Sequence, residues 1–481
     1  MGNTKKGWML LAIYIATFMT AIESTIVVTA ANAISKSFAG DVPISLLFSS
    51  YLFSSALATP ILSRLADQYG KKRVFLFGLF LFIVGTFLCG ISTSFSLLIL
   101  FRVLKGIGAG GIMPITFALI GDLFDFETRG KIMGLNNSAW GIASLVAPLL
   151  GGFLVSQLSW HWVFFINIPF GLLTILIVQF FYKEEKKSSS TKFSFNELKQ
   201  YLFLTVSLFL VLVGIQVLTT NLGFGGLFFV AGIILLYTFL LSERKQTDPV
   251  LPIEAFKASG FLLFTMITFL INGVLIGFQV YVPLWIQTEM HLSPTFAGLA
   301  LLPSSIFFIT GSFFSAQLGK RFGRERLLIF CLAVNIAVFA VLGVLPQHAP
   351  YLAFLLLACF SGFGIGTTVT TSVLSAQSAA TGNNIGAVSG FITLFRTLGQ
   401  SFMITFFGMI FSLFAHSSLS TTGYHAVFFS AALIVLLSLL LVYFATRITK
   451  GKHRTNRKLA ADLATIFCRH IDTAKKEASS H

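Results

Sequence analysis

Fourteen apolar runs, each close to twenty residues or longer, follow one another along the chain. A run of that length is what a helix needs to cross a hydrocarbon core of ~30 Å. They fall at about 8–31, 44–63, 74–94, 97–119, 133–156 and 162–182, then 201–220 and 224–242, then 259–286, 296–317, 327–346, 351–375, 385–411 and 425–446. Inside lipid every backbone N–H and C=O has to be bonded within the protein, so spans of this length fold as helices and not as barrel strands. With 56% of its 481 residues hydrophobic and only 10% charged, the chain reads as an all-α polytopic membrane protein.

The charges test the count. With the amino terminus in the cytoplasm, the segments 64–73, 120–132, 183–200, 243–258, 319–326, 376–384 and the tail lie inside, and among the loops assigned outside only one holds a basic residue, Lys36. That asymmetry places both termini in the cytoplasm. It also accounts for the net charge of +16 without nucleic acid as a partner. Lys5 and Lys6 before the first run resemble a secretion signal, but no small-residue cleavage site closes that run, so an uncleaved first helix is expected. Cys89, Cys331, Cys359 and Cys468 are scattered and suit neither a metal nor a disulfide framework.

The chain also repeats itself. "SRLADQYGKKRVF" (63–75) aligns with "AQLGKRFGRERLL" (316–328), pairing Leu65 with Leu318, Gly70 with Gly323, Lys71 with Arg324 and Arg73 with Arg326, while "KGIGAGG" (105–111) echoes "SGFGIGT" (361–367). The two shifts, 253 and 256 residues, exceed the length of six spans by about two helices. The expected layout is a six-helix bundle over 1–182, a linker with two additional spans over 183–258, a second six-helix bundle over 259–446 and a basic tail over 447–481. Parallel repeats of this kind build transporters whose substrate site lies near the midplane between the halves.

Four stretches carry chemistry. In the 63–75 loop, Gly70 permits a tight turn, and Asp67, Lys71 and Arg73 can bridge helix ends as a conformational latch, or serve only as a topological anchor. In "RVLKGIGAGG", Arg102 within an apolar helix costs about 2.5–3.5 kcal/mol on insertion scales, so it either finds a partner inside the bundle or snorkels outward, with Lys105 a turn further on. In "ASLVAPLLGG", small residues at Ala143, Ala147 and Gly151, with Gly152 beside them, form a stripe for close helix approach around Pro148. In "AIESTIVVTA", Glu23 sits ~22 Å along the first helix, counted from Trp8 at ~1.5 Å per residue, the one acid of seventeen clearly inside a span; Asp122 and Glu289 lie near ends. Desolvation favours a neutral carboxyl and a nearby cation favours the carboxylate, so such a group can exchange a proton as its surroundings alternate. The other reading is a neutral glutamic acid bonded to Thr20 or Ser24. Arg102 and Arg396 are the candidate counter-charges, and Arg396 reads equally as a substrate contact or a clamp. Tyr51, Trp140, Asn272, Gln279 and Tyr281, polar or aromatic groups within spans, are candidate cavity linings together with Arg396.

These stretches together resemble the major facilitator superfamily, and within it the fourteen-helix drug:proton antiporter branch, over about residues 8–446. The loop at 63–75 matches with Ser63 for the first glycine, helix four through Arg102, Gly106 and Gly108 with Lys105 where glutamine is usual, and the antiporter pattern through Pro148, Gly151 and Gly152 with Ala143 and Ala147 for glycine. The first-helix pattern matches through Glu23, Thr25, Ile26, Val27 and Ala30, with glutamate for aspartate, and "WHWVFFINIPFG" (160–171) and "GAVSGFITLFRTLGQS" (386–401) match further helices. The resemblance implies a proton-coupled exporter of small lipophilic compounds, cations among them. It also implies that Glu23 and Arg102 handle the proton, that helix five serves exchange, and that no cofactor is used beyond the proton gradient. The setting it implies is a bacterial cell membrane, with the protein working as a monomer. A dedicated carrier of a lipid, metabolite or peptide is the alternative, although the E-x-x-E-R pattern of peptide carriers is absent. An integral membrane enzyme or channel is the other class considered; no H-E-x-x-H, D-D-x-x-D or Walker pattern supports an enzyme.

The 447–481 tail carries nine Lys or Arg residues with apolar positions at helical spacing, as in a helix lying on anionic lipid or a solvated extension.

Overall fold

Leu, Ile, Phe and Ala dominate each apolar run, and with no solvent to satisfy the backbone these runs coil into helices whose exposed flanks stay apolar. A computed structural model describes residues 3–38, 42–124, 126–182, 184, 195–218, 221–243, 246, 253–256, 258, 260–347, 349–378, 385–415 and 421–443. The basic tail and most of the 183–200 break lie outside the described residues.

The helices are α1 (Asn3–Ser37), α2 (Ile44–Tyr69), α3 (Lys71–Gly90), α4 (Phe95–Leu123), α5 (Phe126–Gln157), a sixth span divided into α6 (Trp162–Phe165) and α7 (Asn167–Phe181), then α8 (Phe195–Val217) and α9 (Leu222–Glu243). After the short α10 (Ile253–Phe256) come α11 (Phe261–Thr288), a span divided into α12 (Pro294–Leu299) and α13 (Leu302–Phe322), then α14 (Arg324–Leu342), α15 (Tyr351–Gln377), α16 (Ile385–Ala415) and α17 (Thr422–Tyr443). Fourteen of these spans are long and apolar enough to cross a membrane.

Packing recurs between the two sets of six. The first helix of each set lies on the fifth (α1 on α5, α11 on α16), the second on the fourth (α2 on α4, α13 on α15), and the third on the fourth (α3 on α4, α14 on α15). The glycines aligned in the sequence face corresponding neighbours. Gly106 and Gly110 press on Tyr51 and Ser55 of α2, while Gly362 and Gly366 press on Ser304 and Phe308 of α13. Gly108 meets Gly78 and Phe82 of α3, and Gly364 meets Cys331 and Asn335 of α14. Gly70 and Gly323 both take left-handed backbone, with φ 101° and 86° and ψ 138° and 133°, so the two loops turn alike where only glycine is unstrained.

The two helices between the sets, α8 and α9, pack mainly on each other, with Gly214 against Phe229. Leu204, Leu208, Val211 and Leu212 of α8 share an apolar cluster with Phe53 and Leu57 of α2 and with Leu398 and Phe402 of α16. The pair therefore covers the seam between α2 and α16.

The end of the bundle carrying the 64–73 loop is called the basic end below. Contacts between the two sets lie from mid-depth toward the opposite end. Ser401 donates to the Ser49 carbonyl and Ser305 to the Ser144 carbonyl, and Ser45 meets Gly408.

Candidate functional site: a buried carboxylate between two cations

Near the middle of α1, Glu23 is 0% exposed and faces α4. Arg102 and Lys105 are three residues apart on α4, a spacing that puts both on one face, and they are 1% and 0% exposed. Glycines 106, 108 and 110 let α4 sink between α2 and α3, which carries those side chains inward. Arg102 Nη1 is 3.1 Å from Glu23 Oε1, and Lys105 Nζ is 2.6 Å from Glu23 Oε2. Asn167, at the start of α7, donates its Nδ2 to Oε2 at 3.4 Å. One carboxylate thus takes bonds from three donors on two other helices, an arrangement in which charge-assisted bonds offset the desolvation of burial.

Aromatic faces complete the enclosure. The Arg102 guanidinium lies 5.4 Å from the Tyr51 ring centroid, and the Lys105 ammonium lies 4.8 Å from Phe82 and 5.3 Å from Phe164. Ring faces attract cations where water is excluded. Arg102 Nε has no partner among the described residues, so the guanidinium keeps a donor in reserve. With all three groups charged the cluster carries one positive charge more than it neutralises.

Arg102 is therefore one of the two cations paired with Glu23. Arg396 is not: it lies on α16, its guanidinium 5.9 Å from the Trp140 ring centroid, and Lys105 occupies the second place beside the acid. Nor does Thr20 bond to Glu23; its hydroxyl donates to the Ala16 and Thr17 carbonyls of its own helix. Asn167 had no sequence signal beyond its place in "WHWVFFINIPFG".

The expected cavity linings divide. Tyr51 belongs to the Glu23 cluster, Trp140 meets Arg396, and Gln279 is half-buried. Asn272 and Tyr281 are core residues. The Asn272 amide donates to the Thr268 carbonyl one turn back, and Tyr281 packs on Phe407 and Phe411.

At the basic end the loop charges divide between paired and exposed. Lys71 pairs with Asp122 at the end of α4, and the backbone N–H groups of Lys71 and Lys72 both donate to Glu184, which supplies the acceptor the start of α3 otherwise lacks. Lys72 Nζ reaches the Gln179 and Tyr182 carbonyls. Asp67 and Arg73 are exposed, and neither has a partner among the described residues.

The α5 stripe lies at the opposite end. Ala143 and Ala147 are buried, Gly151 faces Ile26 and Thr29 of α1, and Gly152 faces α12, where a Cβ would stand 2.7 Å from Thr295 Cα and 2.8 Å from the Pro294 carbonyl. Gly298 in turn abuts the Pro148 carbonyl. This stripe closes the two sets against each other, beside a Ser156–Thr295 hydroxyl contact of 3.4 Å. Gly152→Val is expected to hold this seam apart while α5 stays inserted. A Ser156→Cys/Thr295→Cys pair would report it, crosslinking readily in the otherwise unchanged protein and severalfold less when combined with Gly152→Val; equal crosslinking in both would show that the seam does not need the glycine.

Among the described residues no three His, Cys, Asp or Glu side chains gather as metal ligands.

Residues 13–404 match the sequence pattern of the Major Facilitator Superfamily. The chain is 31% identical over 451 residues to the multidrug efflux pump SdrM of Staphylococcus aureus (strain N315), covering 92% of this chain and 98% of that one. It is 30% identical over 411 residues to Multidrug resistance protein 3 of Bacillus subtilis (strain 168), covering 84% and 79%. In structure it is similar to an auto-inhibited POT family peptide transporter (TM-score 0.72, 16% identity, 92% and 97% covered) and to a bacterial homologue of the human lysosomal transporter Spinster (TM-score 0.67, 15% identity, 94% and 99% covered).

Proposed function

The chain belongs to the major facilitator superfamily and moves small solutes across a membrane by secondary active transport, and from that premise we propose that it exports lipophilic compounds in exchange for protons. It is a multi-pass transporter and not an enzyme. The observation that carries the proposal is Glu23: an acid near the middle of a span, sealed from water, tied to Arg102 and Lys105 of α4 and to Asn167 of α7. A proton arriving at Glu23 removes the charge that two cations hold. The bonds joining α1 to α4 and α7 then weaken together, and the helices are released to shift. When the proton leaves, the pairs form again. One proton thereby alternates a three-helix junction between tied and untied, which is what coupling requires.

The relatives named for multidrug resistance and multidrug efflux support the direction and the breadth of substrate. Loop charge supports a basic end that faces the cytoplasm, and the bacterial relatives support a bacterial cell membrane as the setting.

The test is uptake into everted vesicles. An imposed proton gradient should drive accumulation of a fluorescent lipophilic compound, and a protonophore should erase it. Uptake indifferent to the gradient would overturn coupling. A panel of drugs left unmoved while one lipid or metabolite is carried would establish a dedicated carrier instead.

A further inference from the structure

On α16 the open flank departs from the rule that exposed flanks are apolar. On α9, α13 and α14 the open positions include Ile234, Phe313 and Phe330, which suit lipid. On α16 the residues left at least partly open include Ser389, Thr393, Arg396, Thr397 and Gln400, spaced by three and four so that they share one face. The Thr393 and Thr397 hydroxyls turn back to carbonyls of their own helix. Arg396 and Gln400 make no hydrogen bond or ion pair with any described residue. A guanidinium at this depth against lipid is costly, so this face is argued to turn toward the space between the two sets of helices.

Trp140 stands across that space. It lies at mid-length on α5, which is not packed against α16, yet its ring is 5.9 Å from the Arg396 guanidinium. The other deep cations, Arg102 and Lys105, share Glu23; Arg396 has an aromatic neighbour and no acid among the described residues. A planar cation beside an indole still offers edge donors in a fork that fits a carboxylate, and the indole offers a surface for a flat ring.

We propose that Arg396 and Trp140 form a subsite for the anionic end of an aromatic amphiphile, so that the carried compounds include molecules with a carboxylate beside a planar ring system. The inference deepens the export reading above and rests on it for direction of movement only; binding at the subsite needs no gradient.

The test uses the full-length protein purified in detergent and two xanthene dyes that differ only in a free carboxylate or its methyl ester, with binding read by fluorescence anisotropy. The parent is expected to bind the acid at least ~10-fold more tightly than the ester, as a charge-assisted forked pair warrants. Arg396→Gln should bring the acid down to the ester's affinity and leave the ester within ~2-fold of its parent value. Arg396→Lys, which keeps the charge and loses the fork, should fall between, and it carries the test should the glutamine variant not fold. A parent without preference for the acid, or a folded Arg396→Gln protein that keeps the preference, overturns the subsite. Lost gradient-driven uptake with an intact acid preference would strike the proton-coupling reading alone, and lost preference with intact coupling would strike the subsite alone.

Discussion

In everted vesicles energised by a proton gradient, the Glu23→Gln protein is expected to accumulate substrate no better than de-energised parent vesicles, a loss on the order of 10²-fold for a lost proton-transfer group. Glutamine is nearly the same size and keeps an oxygen to accept from Arg102, 3.1 Å away in the parent. What it loses is the exchangeable proton. It also turns an amide donor toward Lys105 or Asn167, both of which are donors to the parent's Oε2. The junction of α1, α4 and α7 is then left in its untied condition at every pH. Exchange of labelled for unlabelled substrate, which moves no net proton, should persist in this variant, as should substrate binding. Gradient-driven uptake equal to the parent's would show that Glu23 is not the coupling group.

That the sequence offers Arg102 and Arg396 as candidate counter-charges to the acid has a physical reason: lipid allows a charge to stay only where another group answers it, so an isolated acid in an apolar run points to the isolated arginines of other runs. The fourteen spans were legible on the same ground, since a hydrocarbon solvent enforces length and composition together. Lys105 was legible in part. Its three-residue offset from Arg102 places it on the same face, but spacing along α4 does not say that α1 supplies the carboxylate to both. Asn167 is neutral and enters from another helix, so no rule of charge or period pointed to it. A polar group in a span can bond on its own helix, as the Asn272 amide does with the Thr268 carbonyl, and a sequence does not reveal which polar groups do so. Glu184 lies in a charged break, where composition gives no reason to single out the acid that meets the start of α3.

The double replacement Glu23→Leu/Lys105→Met is expected to melt at a higher temperature in detergent than Glu23→Leu alone, although it carries one more substitution. Leucine at 23 strands two cations that are 1% and 0% exposed, and removing one partner of a buried pair costs about 3–5 kcal/mol. Methionine at 105 removes one of the stranded cations and fits the apolar slot between Phe82 and Phe164 where the ammonium now lies. Lys105→Met by itself should cost less than Glu23→Leu, because the carboxylate keeps Arg102 and Asn167. The interaction between the two sites is then about 0.5–3 kcal/mol in favour of the pair of changes. Additive melting shifts, with the double replacement below Glu23→Leu by the full Lys105→Met decrement, would mean that the two side chains do not hold each other. Arg102 would then be the sole cation that fixes the acid, and Lys105 a residue that merely fills the slot between the two rings.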